Sequence, residues 1–192
     1  PADKTDAAPV AKDKARIVAQ FNHPVVPLVS VAAQQDLPQP LTIQPAVSGA
    51  GQWLNTSTYL FSPAQDLSVA TTYTVTVKPL KDLLGKELKG YAWSFKTMPP
   101  AVIQTYPADN TQFAGVTQPI TVTFNVEMER ASVESRFKLT AGASSSGVRG
   151  RFDWQGNVLR FTPDKPLDFD ASYKVEIAAG AQDAKRTGAM PR

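Results

Sequence analysis

At 192 residues, with 42% hydrophobic and 19% charged positions, the chain has an ordinary globular make-up and enough length for two domain-sized cores. Its 20 lysines and arginines stand against 17 acids and lie scattered along the chain, which argues against a nucleic-acid binder. The absence of cysteine excludes disulfides, thiolate metal sites and cysteine nucleophiles, and no run of 18 apolar residues is present to cross a membrane as a helix.

Residues 1–15 read as a flexible tether. The first 14, PADKTDAAPVAKDK, hold one valine and no aromatic residue, too little apolar surface to offset their ordering entropy. Alternation begins at Ile17, Ala19 and Phe21. Leu41-Thr42-Ile43 predicts a further strand, 52–61 a long extended run, and 73–77 a strand of strict alternation. In 91–95 the three aromatic residues Tyr91, Trp93 and Phe95 share one face, which the period of two assigns to the core. Between these last two strands, Asp82-Leu83-Leu84-Gly85 carries turn chemistry. Thr97-Met98-Pro99-Pro100 is expected to be a short, semi-rigid spacer, because paired prolines favour extended backbone. Beyond it the pattern predicts strands at 102–106 and 120–124, with a turn at Pro107-Ala108-Asp109-Asn110 between them. A helical turn follows across 131–137, then strands at 148–154 and 158–161 joined by the hairpin signal Gln155-Gly156-Asn157, and a last strand at 171–177.

One pattern occurs twice. Phe61-Ser62-Pro63, Leu67, Thr72-Tyr73 and Val75 return as Phe161-Thr162-Pro163, Leu167, Ser172-Tyr173 and Val175. The register extends back through Trp53 and Trp154 to Phe21-Asn22 and Phe124-Asn125, and forward from Asp82 with Gly85 to Asp183 with Gly188. A repeat of about a hundred residues is a duplicated domain, not a solenoid turn. The expected organisation is the tether at 1–15, a β-sandwich at 16–98 and a second at 99–192, an all-β chain. Within each copy, Pro63 or Pro163 ends a strand by withdrawing a ladder donor. Leu67 or Leu167 then plugs the sandwich end, and Tyr73 or Tyr173 forms a tyrosine corner whose hydroxyl bonds back to backbone. The second copy lacks residues for a counterpart of 91–95, so it is expected to be truncated at its last strand.

Candidate chemical groups reduce to structural roles. Tyr73 and Tyr173 have no base or oxyanion donor nearby in sequence. His23, the single histidine, lacks partners at zinc-ligand spacing. The acidic pairs Glu127 with Glu129 and Asp168 with Asp170 are too few for calcium and read as solubilising charges. Asn55-Thr56-Ser57 matches a glycosylation sequon, a short motif of low specificity. Ser144-Ser145-Ser146 lies in no Gly-x-Ser-x-Gly elbow. No catalytic, cofactor-binding or metal-binding residue is assigned, no cofactor is expected, and the chain is read as non-enzymatic.

The runs Phe21-Asn22-His23-Pro24-Val25-Val26-Pro27-Leu28, Leu41-Thr42-Ile43-Gln44-Pro45 and 52–63 (QWLNTSTYLFSP) resemble the amino-terminal region of bacterial alpha-2-macroglobulin-like proteins. Trp93-Ser94-Phe95-Lys96-Thr97, and in the second copy Pro107-Ala108-Asp109, Phe124-Asn125, Met128 and Phe161-Thr162-Pro163, are similar to bacterial immunoglobulin-like domains of the S-layer type. The resemblance covers residues 16–190. It implies two tandem immunoglobulin-like sandwiches serving as a non-catalytic spacer of a broad-spectrum protease trap, periplasmic or extracellular and anchored through a segment preceding residue 1. Its partners would be the parent's remaining domains and, through the full-length protein, target proteases or other cell-envelope proteins, with no nucleic acid and no membrane insertion. With no cysteine, these residues cannot hold the family's Cys-Gly-Glu-Gln thioester. The alternatives are the stalk or interaction module of an adhesin or S-layer-type protein and, more distantly, a carbohydrate-binding accessory module.

Overall fold

The computed structural model describes residues 15–142 and 146–191. The chain divides into two compact units, Pro1–Leu67 with Thr72–Phe95, and Ser68–Thr71 with Lys96–Arg192. Each is built of antiparallel sheets that contribute to a common apolar core, and the fold is all-β, as the alternation predicts. The expected tether lies outside the described residues, apart from its last position.

Unit one contains β1 (Ile17–Gln20), a 3-10 turn (Val31–Asp36), β2 (Leu41–Gln44), β3 (Gly49–Asn55), β4 (Thr58–Pro63), β5 (Thr72–Val77), β6 (Leu80–Lys81), β7 (Glu87–Leu88) and β8 (Tyr91–Lys96). Strands β1-β4-β3 form one sheet, β2-β5-β8 the other, and β6-β7 a small ribbon. Period-two alternation decides which side chains enter the core. In β5, Tyr73, Val75 and Val77 are buried while Thr72 and Thr76 face water. Ile17, Ile43, Tyr73 and Val75 form one buried cluster, with Phe61, Trp93 and Phe95 against it. Val25, Val26, Trp53 and Tyr59 form another.

Unit two contains β9 (Val102–Tyr106), β10 (Ile120–Phe124), helix α1 (Arg130–Glu134), β11 (Phe137–Ala141), β12 (Gly150–Gln155), β13 (Val158–Pro163) and β14 (Tyr173–Ile177). Its sheets are β12-β13-β10-β9 and β11-β14. Val122, Phe124, Val133, Leu139, Leu159 and Phe161 are each 2% exposed or less. Burying a side chain of this size contributes about 1.5–3 kcal/mol before entropy is counted.

The duplicated sequence folds into duplicated structure. Ile17 pairs with Phe61 in unit one, and Ile120 with Phe161 in unit two. Both β4 and β13 end on the repeated proline. Asp82 and Asp183, 7% and 4% exposed, organise equivalent turns. Asp82 Oδ1 accepts from Leu84 N and Lys86 N at 2.9 and 2.8 Å, while Asp183 Oδ1 accepts from Gly188 N at 2.6 Å. Ala70 and Asp170, the residues two before the repeated Thr72 and Ser172, both hold φ at 51°.

Three expectations need correction. The 52–61 run is a hairpin, with β3 and β4 turning at Thr56-Ser57. Asn55 Oδ1 accepts from Ser57 N at 2.9 Å, so the asparagine side chain makes the turn that the threonine-rich sequence hides. The helical turn expected at 131–137 is helix only to Glu134, and Phe137 opens β11. There Phe137 and Leu139 alternate with Lys138 and pair with Ile177 and Val175. Tyr91 is 67% exposed and stacks on Trp93 at 6.0 Å, so two of the three aromatics of β8 pack on the core rather than three.

Candidate functional site

The residues singled out from sequence are not gathered into one site, although Asp168 and Tyr173 touch. His23 lies half-buried in a bend past β1. Glu127 is exposed, whereas Glu129 caps α1, its carboxylate accepting from Ser132 N at 2.6 Å. That bond satisfies one of the orphan donors at a helix start, so Glu129 is a cap rather than a solubilising charge. Asp168 N donates to the Tyr173 hydroxyl at 2.8 Å, a backward bond that makes the tyrosine corner of unit two. Asp170 is exposed in a left-handed conformation. Asn55 is exposed at the tip of the β3–β4 hairpin, its side chain engaged by Ser57. Ser144 and Ser145 lie outside the described residues, and Ser146 is exposed. Among the described residues, no three of His, Cys, Asp and Glu gather where they could hold a metal ion.

The polar groups that are buried or half-buried serve backbone and packing. Trp53 Nε1 donates to Pro38 O at 3.0 Å, and Gln34 clamps the Trp53 backbone through both amide atoms. Trp154, the repeat partner of Trp53, instead donates to Glu134 Oε1 at 2.8 Å. The repeated Asn125 ties down residues 99–101, accepting from Ala101 N at 2.9 Å and donating to Pro99 O at 3.0 Å. Tyr59, 2% exposed, donates to Gln39 Oε1, and desolvation by burial raises its phenol above the ordinary tyrosine value. The depression on unit two between β11 and β12 is floored by Phe137, Phe152 and Phe161 and rimmed by Glu134, Arg149 and Asp164. Its apolar floor is the core itself, the three rings lying 4.7–5.3 Å apart.

Sequence reading missed Gly49 and Gly150, although both stand four residues before the repeated tryptophan. A Cβ at Gly49 would come 2.5 Å from Ser62 O and 2.6 Å from the Phe61 ring, and one at Gly150 would meet Thr162 O and the Phe161 ring in the same way. The ring of the repeated phenylalanine therefore abuts a glycine in each copy. Extending the repeat register four positions back from Trp53 and Trp154 reveals the pair.

A family model described as a bacterial Ig-like domain matches residues 1–97 and, a second time, residues 96–191. The chain belongs to this family. Both copies of a bacterial Ig-like domain thus coincide with the duplicated pattern of aromatic, proline and tyrosine positions. Among solved structures, L,D-transpeptidase 1 of Mycobacterium tuberculosis is similar at 29% identity, over 41% of this chain and 36% of its own, with a TM-score of 0.34. An L,D-transpeptidase in complex with imipenem is 28% identical over 41% of this chain and 35% of its own, with a TM-score of 0.36. L,D-transpeptidase 3 of the same organism is 15% identical over 92% of this chain and 74% of its own, with a TM-score of 0.33. The chain spans about a third of the length of the first two. No curated protein matches it.

Proposed function

We propose that this pair of bacterial Ig-like domains is a non-catalytic spacer from the amino-terminal region of a bacterial alpha-2-macroglobulin-like protease inhibitor, placed in the periplasm or outside the cell. The observation that carries the spacer reading is the use of the hydrogen-bonded polar side chains, buried and half-buried. Asp82, Asp183, Asn125, Glu129 and Tyr173 each satisfy a backbone group of a turn, cap or joint. Two copies of such a unit fit a structural role. The family assignment supports a structural role of this kind, and no helix among the described residues is long and apolar enough to cross a membrane. Support for the inhibitor as parent rests on the runs 21–28, 41–45 and 52–63.

Duplication also suits a stalk of a surface adhesin or S-layer-type protein. The sequence encoded after Arg192 separates the two: a Cys-Gly-Glu-Gln motif supports the inhibitor, and a ladder of further copies supports the stalk. The spacer reading itself is tested by mixing the purified chain in excess with serine, cysteine, aspartic and metalloproteases and following cleavage of a large protein substrate. Undiminished proteolysis is expected. Protection of the substrate at near-stoichiometric chain would refute a spacer without inhibitory action of its own.

A further inference from the structure

Four glutamines converge on one place in unit one. Gln34 and Gln35 come from the 3-10 turn, Gln39 from the segment before β2 and Gln52 from β3, and with Gly51 they line a depression of about 410 Å³. That volume lies at the low end of the range of small-molecule sites. Two of the glutamines are anchored from below. Gln34 holds the Trp53 backbone, and Gln39 Oε1 accepts from the buried Tyr59 hydroxyl. Gly51 makes room for this second bond, since a Cβ there would lie 2.8 Å from Gln39 Oε1 and closer still to the Tyr59 hydroxyl. The amides of Gln35 and Gln52 and the Nε2 group of Gln39 have no hydrogen-bond partner among the described residues. Strand β3 is the edge of its sheet. Because Trp53 turns its N–H and C=O toward Gln34, the alternation of an antiparallel ladder turns the peptide groups of Gly51 the same way.

Unit two shows that the fold does not require this arrangement. At the place of Gly51, β12 carries Phe152, paired with Phe161 as Gly51 is with Phe61, and Leu159 stands where unit one has Tyr59. The glutamine cluster therefore belongs to one copy and not to the sandwich as such. We propose that it is a binding site for an uncharged oligosaccharide. A primary amide offers a donor and an acceptor side by side, which matches a hydroxyl that both donates and accepts. None of the five lining residues is charged, so an ionic ligand would lose hydration without a counter-charge. An apolar ligand finds no floor, because Trp53 and Tyr59 are only 4% and 2% exposed. A peptide strand adding to β3 would need the Trp53 peptide groups, which Gln34 already occupies. The site goes beyond the spacer reading and does not rest on it.

The test is to titrate the isotope-labelled 192-residue chain with cellotriose, maltotriose and triacetylchitotriose, following backbone and glutamine side-chain amides by NMR. Expected are saturable shifts, with millimolar affinity for at least one sugar, centred on Gln35, Gln39, Gly51 and Gln52. The double variant Gln35→Ala, Gln52→Ala removes two exposed side chains without hydrogen-bond partners among the described residues, so its melting temperature should be unchanged. Its affinity should fall about ten-fold, roughly 1.4 kcal/mol. Should that variant fail to fold, the location of the shifts in the parent chain still decides. The proposal is overturned if no sugar produces shifts at about 20 mM, or if the shifts centre on the stacked Tyr91 and Trp93 of β8 instead. Unchanged affinity in the folded double variant would also overturn it, as would tighter binding at the depression by a neutral tetrapeptide such as Ala-Ser-Gly-Ala than by every sugar.

Discussion

Gly49 and Gly150 show how tightly single positions are specified here. At each, a strand carbonyl and a phenylalanine ring both stand within 2.6 Å of where a Cβ would lie, so an alanine there must move backbone. Gly49→Ala and Gly150→Ala should each cost about 1–3 kcal/mol, the range for overpacking a well-fitted core. In urea the midpoint should fall while the slope is unchanged, and a midpoint equal to that of the parent chain would refute the close approach. At Tyr59 the sign of a pH effect follows from burial. Its phenol titrates above the ordinary value when folded, whereas in the unfolded chain it ionises near pH 10. Below that pH both states keep the proton and stability is unaffected. Above it the unfolded state has shed a proton that the native state retains, so stability falls as pH rises. Urea unfolding at about pH 8 and about pH 11 should show a larger loss for the parent chain than for Tyr59→Phe, and equal losses would contradict the assignment.

At the level of elements, legibility followed local pattern. The alternation in β5 and β10 was plain because apolar and threonine positions follow strictly, and Gly156, with φ at 56°, announced the β12–β13 turn. The matching β3–β4 turn was hidden, since Asn55 turns the chain with a side-chain bond and its neighbours Thr56, Ser57 and Thr58 are strand-like. Strand β11 was absorbed into the preceding helix because Val133 and Phe137 stand at helical spacing, whereas Phe137 and Leu139 answer to β14. The exposure of Tyr91 was illegible because an aromatic at a core-facing register position carries no mark of where the sheet ends. Capping by Glu129 depends on the reach of one carboxylate to Ser132 N, which spacing suggests only once the helix start is known. Val75 in β5 is 0% exposed and its repeat counterpart Val175 in β14 is 38% exposed, and this unequal coverage has a direct energetic reading. Val75→Ala should cost about 2 kcal/mol or more, and Val175→Ala well under about 1 kcal/mol, because a cavity penalty needs enclosing walls. Equal costs measured by chemical denaturation would mean that Val175 is as enclosed as Val75.

For the whole molecule, the twofold repeat was the strongest signal in the sequence, and it was legible because packing and turn positions recur together: phenylalanine, proline, leucine and tyrosine at fixed separations. What the sequence could not reveal is any concentration of chemistry, since the polar groups that are buried are dispersed among turns and caps of both units. Electrostatics is a minor contributor to stability in such a design. The ion pairs Arg151–Asp164 and Lys174–Glu176, at 3.8 and 3.3 Å, join side chains that are 48–91% exposed. Exposed pairs contribute about 0–1 kcal/mol and are screened by salt. The melting temperature should therefore move by no more than about 2–3 °C between low salt and about 0.5 M sodium chloride. A fall of ten degrees would show that charge holds these sandwiches together.

The paired left-handed residues leave a different kind of trace. Ala70 and Asp170 hold the same φ of 51° at the same place in the repeat, yet neither is the glycine that this conformation favours. An aspartate tolerates it better than an alanine, because its short side chain can bond locally to backbone. Two copies under the same backbone demand have thus settled on different residues, which marks the position as one where the fold dictates the path of the chain and leaves the side chain free to change. Inherited shape outlasts inherited identity there, and the cost of the mismatch is borne by the surrounding strands that hold the loop in place.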